Sequence, residues 1–580
     1  MLGMLTICTL SLLSVLIGIQ ENWWPVPHPR LVAAAAVFAA GVALIPSAAF
    51  AAGSSPAAGS PAAAANAQRA AGAELSAAKS VNFPPVTSPA DKAVHSKAPA
   101  GTFGSHAAAD STANPNLSLG LVAQGTSAYG FSLTPEVKSA DVPVTTVVDW
   151  GDGQTSTTKS TGGSQDKSTH SYAKLGTYTI TVTATDESAN QVVNKMTVTT
   201  YGSLYTPYGP TRLLDTRSSG VQPYTNARVQ IGGNGGIPVG VTAVALNVTV
   251  TNATTAGHIT AYGEGTTRPT TSNLNFNAGQ TVPNLVIVPV GANGYVDLYN
   301  GGWGSVDLIA DVAGYFSSSS TSGYTSLAST RIADTRDGTG TSAAGQLGAG
   351  ASFSLPIAGG AGGQLPVSGV TSVALNVTVT NPRSAGFLTV YPGGQTAPTA
   401  SNVNFVADQT VANSVIAPVG ADGRIQIKNG GWQPADVIVD VVGYYSAASR
   451  SAYLPASPVR LIDTREEVEG PLLRSQYYPV PLGKDLPTVT GFVLNTTVTN
   501  TTGVGFLAVT PDPNSWDSYL NGTAYVPNRQ PGSVLNWQRA QTVPNLVQAS
   551  SGSTGVIDFW NVSDGSADLI VDLFGFYTTD

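Results

Sequence analysis

Cysteine is almost absent: the one present, Cys8, sits close to the N-terminus. The rest of the chain therefore has no disulfide, no iron–sulfur cluster and no cysteine zinc site, and holds together by packing and hydrogen bonding. Charge is scarce as well. Charged residues make up 10% of the chain, against ~25% in ordinary domains. The net charge of -8 is spread over 580 residues. No basic footprint results, which argues against nucleic acid and anionic membrane surfaces as partners. Histidine is nearly missing from the region read as folded, where only His170 and His258 occur and neither recurs between repeats. There is no HExxH, GxSxG or Gly-rich phosphate loop. No catalytic residue, metal ligand or cofactor is assigned, and the chain is read as a non-enzyme. A carboxylate pair for glycoside cleavage stays open in principle, although a site required for turnover should not need triplication.

What the chain has in abundance is Gly, Thr, Val, Asn and Ser, the composition of strands joined by tight turns. One stretch occurs three times: SVDLIADVAGYF from Ser305, ADVIVDVVGYYS from Ala435 and ADLIVDLFGFYT from Ala567. At period two the first copy places Val306, Leu308, Ala310, Val312 and Phe316 on one face and Asp307, Ile309, Asp311 and Tyr315 on the other. The other copies keep this phase, with Tyr445 and Tyr577 at the place of Phe316. A glycine falls at one position of each, Gly314, Gly443 and Gly575, where a bulge, a bend or a close neighbouring backbone is expected. Asn247, Asn376 and Asn495 recur at spacings of 129 and 119 residues. Periods this long mean whole domains in tandem, not a solenoid of short units. The expected fold class is all-β. It comprises one Ig-like sandwich and three jelly-roll-like or related sandwich repeats after a disordered linker, each domain with its own core and the whole forming a rod.

The expected boundaries follow in order. Residues 1–51 form a leader with two apolar segments. The second, Leu31 to Ile45, follows Arg30 and precedes Ala49-Phe50-Ala51, so it reads as a signal peptide cleaved after Ala51. The first lacks a basic n-region and is read as a misassigned start, with Val26 as the alternative; a membrane helix is the competing reading. Cys8 follows Leu-Thr-Ile, a poor lipidation site. LPVSG at Leu365 resembles a sortase signal but is internal and has no apolar segment after it. Residues 52–115 are Ala, Ser, Gly and Pro with almost no aromatics, a flexible tether. A first β-module spans 116–201, and three repeats span 204–317, 323–446 and 452–580.

In the first module, Trp150-Gly151-Asp152-Gly153, the pair His170 and Tyr172, Gly176-Thr177-Tyr178 and the strand TITVTATD resemble a PKD domain. That resemblance implies a spacer or adhesive module of extracellular proteins that sometimes contacts polysaccharide or protein. From Leu204 to Asp580, RLLDTR, ALNVTVT, SNLN, QTVPNLV and DLIADVAGY are similar to a tandem accessory module of secreted actinobacterial proteins. This second resemblance implies location more than activity, and no ligand or catalytic residue comes with it.

Three sets of residues are candidates for function. Arg212, Asp215 and Asp311 recur as Arg331, Asp334, Asp440 and as Arg460, Asp463, Asp572, with Arg217, Arg336 and Arg465 alongside. They read as structural ion pairs between the first and last strands of each repeat. A Ca²⁺ site from Asp307 and Asp311 is disfavoured, since they lie about 13 Å apart along a strand at ~3.3 Å per residue. Trp303 and Trp432 follow Gly-Gly at a hairpin turn, and Trp560 falls slightly earlier in the third copy. They read either as a stacking platform for sugar or as plugs over the ends of their own sandwiches. Asn247, Asn273, Asn275 and Asn284, with their counterparts, are expected to bond loop backbone. The functional reading is a secreted, non-catalytic surface or extracellular-matrix adhesion protein that binds cell-wall or environmental polysaccharide, or other surface proteins, by multivalent weak contacts. The alternative is a structural spacer or assembly subunit without a glycan site.

Overall fold

The structure is a computed structural model that describes residues 83–98, 114, 116–161, 166–466 and 470–580. The expected leader, its cleavage point, Cys8 and most of the tether lie outside these residues. Among the described residues nearly everything regular is strand, in antiparallel sheets, and no helix is long and apolar enough to cross a membrane.

The first module is a sandwich of a four-stranded and a five-stranded sheet. Its alternating strand Thr177–Thr185 buries Ile180, Val182 and Ala184 against Leu119, Leu121, Phe131 and Val192. The tether expectation needs a correction here. Val86–Ser88 pairs with Ser118–Gly125, and Val94–Lys97 pairs with Asn190–Thr199, so the last part of that stretch supplies one strand to each sheet. Phe83 packs edge-on to Tyr201, with centroids 4.6 Å apart. A few apolar residues in a Pro/Ala/Ser-rich stretch suffice when a sheet edge is open to accept them.

Each repeat is a sandwich of two four-stranded sheets with the same strand order. In repeat 1 one sheet runs Leu204–Asp215, Asp307–Ser317, Ala243–Thr251, Val282–Pro289. The other runs Asn226–Gln230, Tyr295–Asn300, Gly257–Gly263, Leu274–Phe276. Val306, Leu308, Ala310 and Val312 of the closing strand face the repeat's own core, as the alternation predicts. Beyond Val312 the alternation resets. Ala245 pairs with Gly314 and Leu246 with Val312, which leaves Ala313 unpaired in a bulge. Tyr315 therefore turns toward the repeat's own core, and Phe316 turns away from it. The expected placement of Phe316, Tyr445 and Tyr577 beside the core valines is corrected by this one-residue slip. The glycine beside the bulge admits a ring: a Cβ on Gly314, Gly443 or Gly575 would overlap Tyr205, Tyr324 or Tyr453. Each of these tyrosines donates its hydroxyl hydrogen to the bulge carbonyl, at 3.0 Å for Ala313, 3.2 Å for Val442 and 3.0 Å for Phe574.

The rings displaced by the slip do not meet water. Tyr205, Phe316, Tyr324, Tyr445, Tyr453 and Tyr577 join Ala243, Ala245, Ala374, Ile416, Val493 and Leu546 in one core shared by all three repeats. The expectation of a rod of separate cores is thereby overturned. Each repeat keeps a core of its own, and the three also close around a common one. The strand Ala243–Thr251 is buried on both faces for this reason, the pattern of a sheet covered on both sides.

Polar contacts close the ring with a single sense. Asn247 Nδ2 donates to the Ser401 carbonyl at 2.7 Å, Asn376 Nδ2 to that of Ser533, and Asn495 Nδ2 to that of Ser272 at 2.8 Å. Repeat 1 thus reaches repeat 2, repeat 2 reaches repeat 3, and repeat 3 reaches repeat 1. Asn413, Asn545 and Asn284 donate to the amide oxygens of Asn247, Asn376 and Asn495 at 3.0, 3.4 and 3.2 Å. The first module docks on this assembly where the Tyr129 hydroxyl donates to the Arg450 carbonyl at 2.8 Å and Ser203 bridges Tyr453.

Candidate functional site: exposed rings and the inter-repeat seams

The hairpin that carries Trp303 is pinned from below by Asn300, which is fully buried. Its Nδ2 donates to the carbonyls of Val221, Gln222 and Gly304 at 3.1, 3.2 and 2.9 Å, and its Oδ1 accepts from Gly302 N–H at 2.9 Å. Asn429 repeats the arrangement through Leu347, Gln433 and Gly431. Gly257 lies against the backbone of Gly302, and Gly386 against that of Gly431, where an added Cβ would come within 2.6 Å. The loop is fixed, and its one large side chain points out: Trp303 is 80% and Trp432 85% exposed. Leaving such a ring in water forgoes ~2 kcal/mol of burial. In repeat 1 a second ring joins it. Tyr224, half exposed, stands edge-on to Trp303 with centroids 5.7 Å apart and planes at 83°. Tyr224 holds this pose at φ +59°, where repeats 2 and 3 have Gly350 and Ser475 at +69° and +58°. A bulky residue in the left-handed region costs of order 1 kcal/mol or more.

Trp560 does not belong with these two, and its grouping with them is corrected. It is 8% exposed, stacks on Tyr477 at 4.4 Å and 25°, and donates Nε1–H to Thr510 Oγ1 at 3.2 Å. Repeat 3 carries an insertion with the short helix Trp516–Leu520, whose Trp516 and Tyr519 pack beside Val556 and Tyr477. At the hairpin tip, Asn561 keeps its place but Val562, Ser563 and Asp564 follow it, so no tryptophan is presented. Under the insertion lies an acid pair that the sequence did not single out. Asp558 is fully buried, neither of its oxygens meets a donor, and its neighbour is the carboxylate of Asp512, which accepts from Asn514 and Tyr519. Burial first, and Asp512 second, push the Asp558 carboxyl up to about 9.

The recurring charges meet at the seams between repeats. Arg212 holds Asp311 through Nε at 2.9 Å and Nη2 at 3.2 Å, and its Nη2 also donates to the Thr399 carbonyl of repeat 2. Arg331 holds Asp440, and Arg460 holds Asp572, in the same fork, with Nε at 2.9 Å in both. Asp215, Asp334 and Asp463 bridge these arginines to Arg217, Arg336 and Arg465. Burial pushes the carboxyls of Asp311, Asp440 and Asp572 up while their arginines pull down. The Arg217 hydrogen bond holds Asp215 down at about 2. Asp307 is occupied by Asn252 at 2.7 Å and does not join Asp311; no group of three or more His, Cys, Asp or Glu able to hold a metal forms among the described residues. Of the asparagines, Asn273 accepts from Ala261 N–H at 2.7 Å and Asn284 donates to the Asn273 carbonyl at 2.6 Å.

No family model matches the chain. No curated protein matches it either. Among solved structures, one described as the "structural basis for the promiscuous specificity of the carbohydrate-binding modules from the beta-sandwich super family" is similar at 10% identity and TM-score 0.15, over 33% of this chain and 93% of that one. Another, the N-terminal CBM22-1-CBM22-2 tandem domain of Paenibacillus barcinonensis Xyn10C, is similar at 9% identity and TM-score 0.14, over 42% of this chain and the whole of that one. The fold seen here is the tandem β-sandwich that the sequence predicts; neither the PKD nor the actinobacterial resemblance is matched by a family.

Proposed function

We propose that this chain is a secreted, non-catalytic polysaccharide-binding protein whose contact points are the tips of repeats 1 and 2. The observation that carries the reading is the exposure of Trp303 and Trp432 on equivalent hairpins rigidly held by buried asparagines. An exposed indole stacks on the apolar C–H face of a sugar ring, and Tyr224 widens the platform in repeat 1. The rival reading, a spacer or assembly subunit without a glycan site, expects these rings to cover the ends of their sandwiches, and they do not. The closed ring of repeats supports multivalency of a different kind from a rod. The two tips are set at fixed positions on one body, so one polymer chain or two neighbouring chains can engage both, and weak single contacts add through effective concentration.

The test is retention of the mature chain on insoluble cellulose, chitin and peptidoglycan. Retention on at least one is expected, and the double variant Trp303→Ala, Trp432→Ala should lose at least tenfold of it with unchanged melting. Equal retention of wild type and double variant would remove the reading.

A further inference from the structure

The seam between repeat 3 and repeat 1 contains a cavity of ≈ 290 Å³ lined by Ser272 and Asn275 of repeat 1 and by Arg460, Arg465, Thr497, Thr499, Thr542 and Ile570 of repeat 3. We infer that this cavity is a second saccharide site, one that binds a single neutral sugar unit with hydroxyl-directed hydrogen bonds and that exists only because the repeats close into a ring. It rests on the reading of the chain as a glycan binder but uses different residues from the hairpin tips.

Four features build the site. First, Thr497 lines the cavity, and its hydroxyl is neither taken by a hydrogen bond within the protein nor sealed away as that of its counterpart Thr249 is. An accessible hydroxyl of this kind can donate to and accept from a ligand hydroxyl. Second, Asn275 spends only its oxygen within the protein, accepting from Ser272 Oγ at 3.0 Å, so its amide N–H groups are left for the cavity. Third, Arg465 is tied only to Asp463 through Nε and Nη2, leaving Nη1 free, and it stays 40% exposed. An exposed pair of this kind adds little stability, yet an arginine stands at this place in all three repeats. Fourth, the two guanidinium groups are balanced by the carboxylates of Asp463 and Asp572. A site with no net charge, with donors and acceptors side by side and with Ile570 as an apolar patch, suits a polyol better than an anion. Its volume is at the small end of ligand pockets, which run ~300–1,000 Å³. It holds one ring, not a chain.

The experiment is calorimetric titration of the full mature chain with cellohexaose, xylohexaose and chitohexaose, and with hexagalacturonate as the charged arm. The expected result is binding of at least one neutral hexamer, weakened at least tenfold by Arg465→Gln and likewise by Asn275→Ala. Both substitutions remove partly exposed groups, and unchanged melting confirms the fold. Trp303→Ala, Trp432→Ala should keep this soluble binding while losing polymer retention, which separates the two sites. Absence of heat with every neutral hexamer, binding of hexagalacturonate alone, or full binding by Arg465→Gln and Asn275→Ala would each overturn the inference. In those cases loss of polymer retention by the tryptophan variant would still leave the hairpin tips standing.

Discussion

Replacing Asp558 by Asn should make this protein more stable at neutral pH, although the substitution removes an ionisable group from a fully buried place. Asp558 has no donor at either oxygen and faces Asp512, with Tyr519, Tyr477 and Trp560 packed around the pair. Its carboxyl is pushed up to about 9, against ~3.9 in an unfolded chain. Between roughly pH 4 and 9 the native state therefore keeps a proton that the unfolded state has lost. Stability is fully present below the lower value and falls as pH rises, by up to ~1.4 kcal/mol per unit, until the native group itself ionises. At pH 7 the accumulated cost is of order 2–4 kcal/mol, the upper end being a full unit of slope over three pH units. An asparagine there needs no proton, and its Nδ2 donates to Asp512 as the protonated carboxyl does. Urea unfolding of both proteins at pH 5, 7 and 8.5 measures the difference. The variant should gain on the wild type steadily across this range. Carboxylates held low by arginine, such as Asp215, lose their contribution only toward acid, outside the window. Those raised by burial, such as Asp311 and Asp440, are common to both proteins and cancel. Equal pH slopes, or a variant less stable than wild type at pH 8.5, would refute the reasoning.

Further outcomes follow from the ring. Asn376→Ala leaves the Ser533 carbonyl and an Asn545 N–H without their partners, and should cost about 2–4 kcal/mol in denaturant unfolding. Gly443→Ala forces the Tyr324 ring out of its seat in the shared core and should cost about 3 kcal/mol, where the same change at Gly348, whose added Cβ would meet nothing nearer than 3.9 Å, should cost under about 1 kcal/mol. Repeat 2 produced alone, residues 323–446, bares Tyr324, Ala374, Ile416 and Tyr445, an apolar patch that calls for a partner; sedimentation should find trimers, and a stable monomer would count against the shared core.

The fold was legible where one period governed the pattern. The closing strand reads correctly up to Val312 because a single alternation holds that far, and it misreads from Ala313 because a bulge inserts one residue. The glycine marked the place, but not which way the chain would turn after it. The shared core had a visible sign in ALNVTVTN, where Ala245 and Asn247 alternate with Val244, Leu246 and Val248 and so share the face opposite the repeat's own core. Small and amide residues there, and not Lys or Glu, are what a covered face needs. The arginine–aspartate forks were legible as chemistry, since Arg and Asp in fixed phase on adjacent strands face one another. Their position at a seam was not, because it depends on contacts between units rather than within one. The tryptophans divided on loop length: Trp303 and Trp432 follow Asn-Gly-Gly in identical turns, whereas Trp560 precedes its asparagine and lies inside the strand. The acid pair escaped because Asp512 and Asp558 are distant in sequence and only the insertion's helix seals them.

The two kinds of contact between repeats do different work. The aromatic and aliphatic residues of the shared core supply most of the association, as apolar burial does between subunits, but a greasy surface of this sort accepts a partner in many orientations. Asparagine amides do not. Each of Asn247, Asn376 and Asn495 has one acceptor on the next repeat, and each of Asn284, Asn413 and Asn545 joins a second neighbour through both its oxygen and its nitrogen. A rotation of one repeat against the next strands several buried amide groups at ~1–3 kcal/mol each. That is the same economy by which one buried asparagine fixes register in a coiled coil. It also explains why the seams can hold a polar cavity at all. With the repeats locked in one register by amides deep in the ring, the seam nearer the surface can carry polar side chains such as Asn275, Arg465 and Thr497 around a cavity without packing it shut.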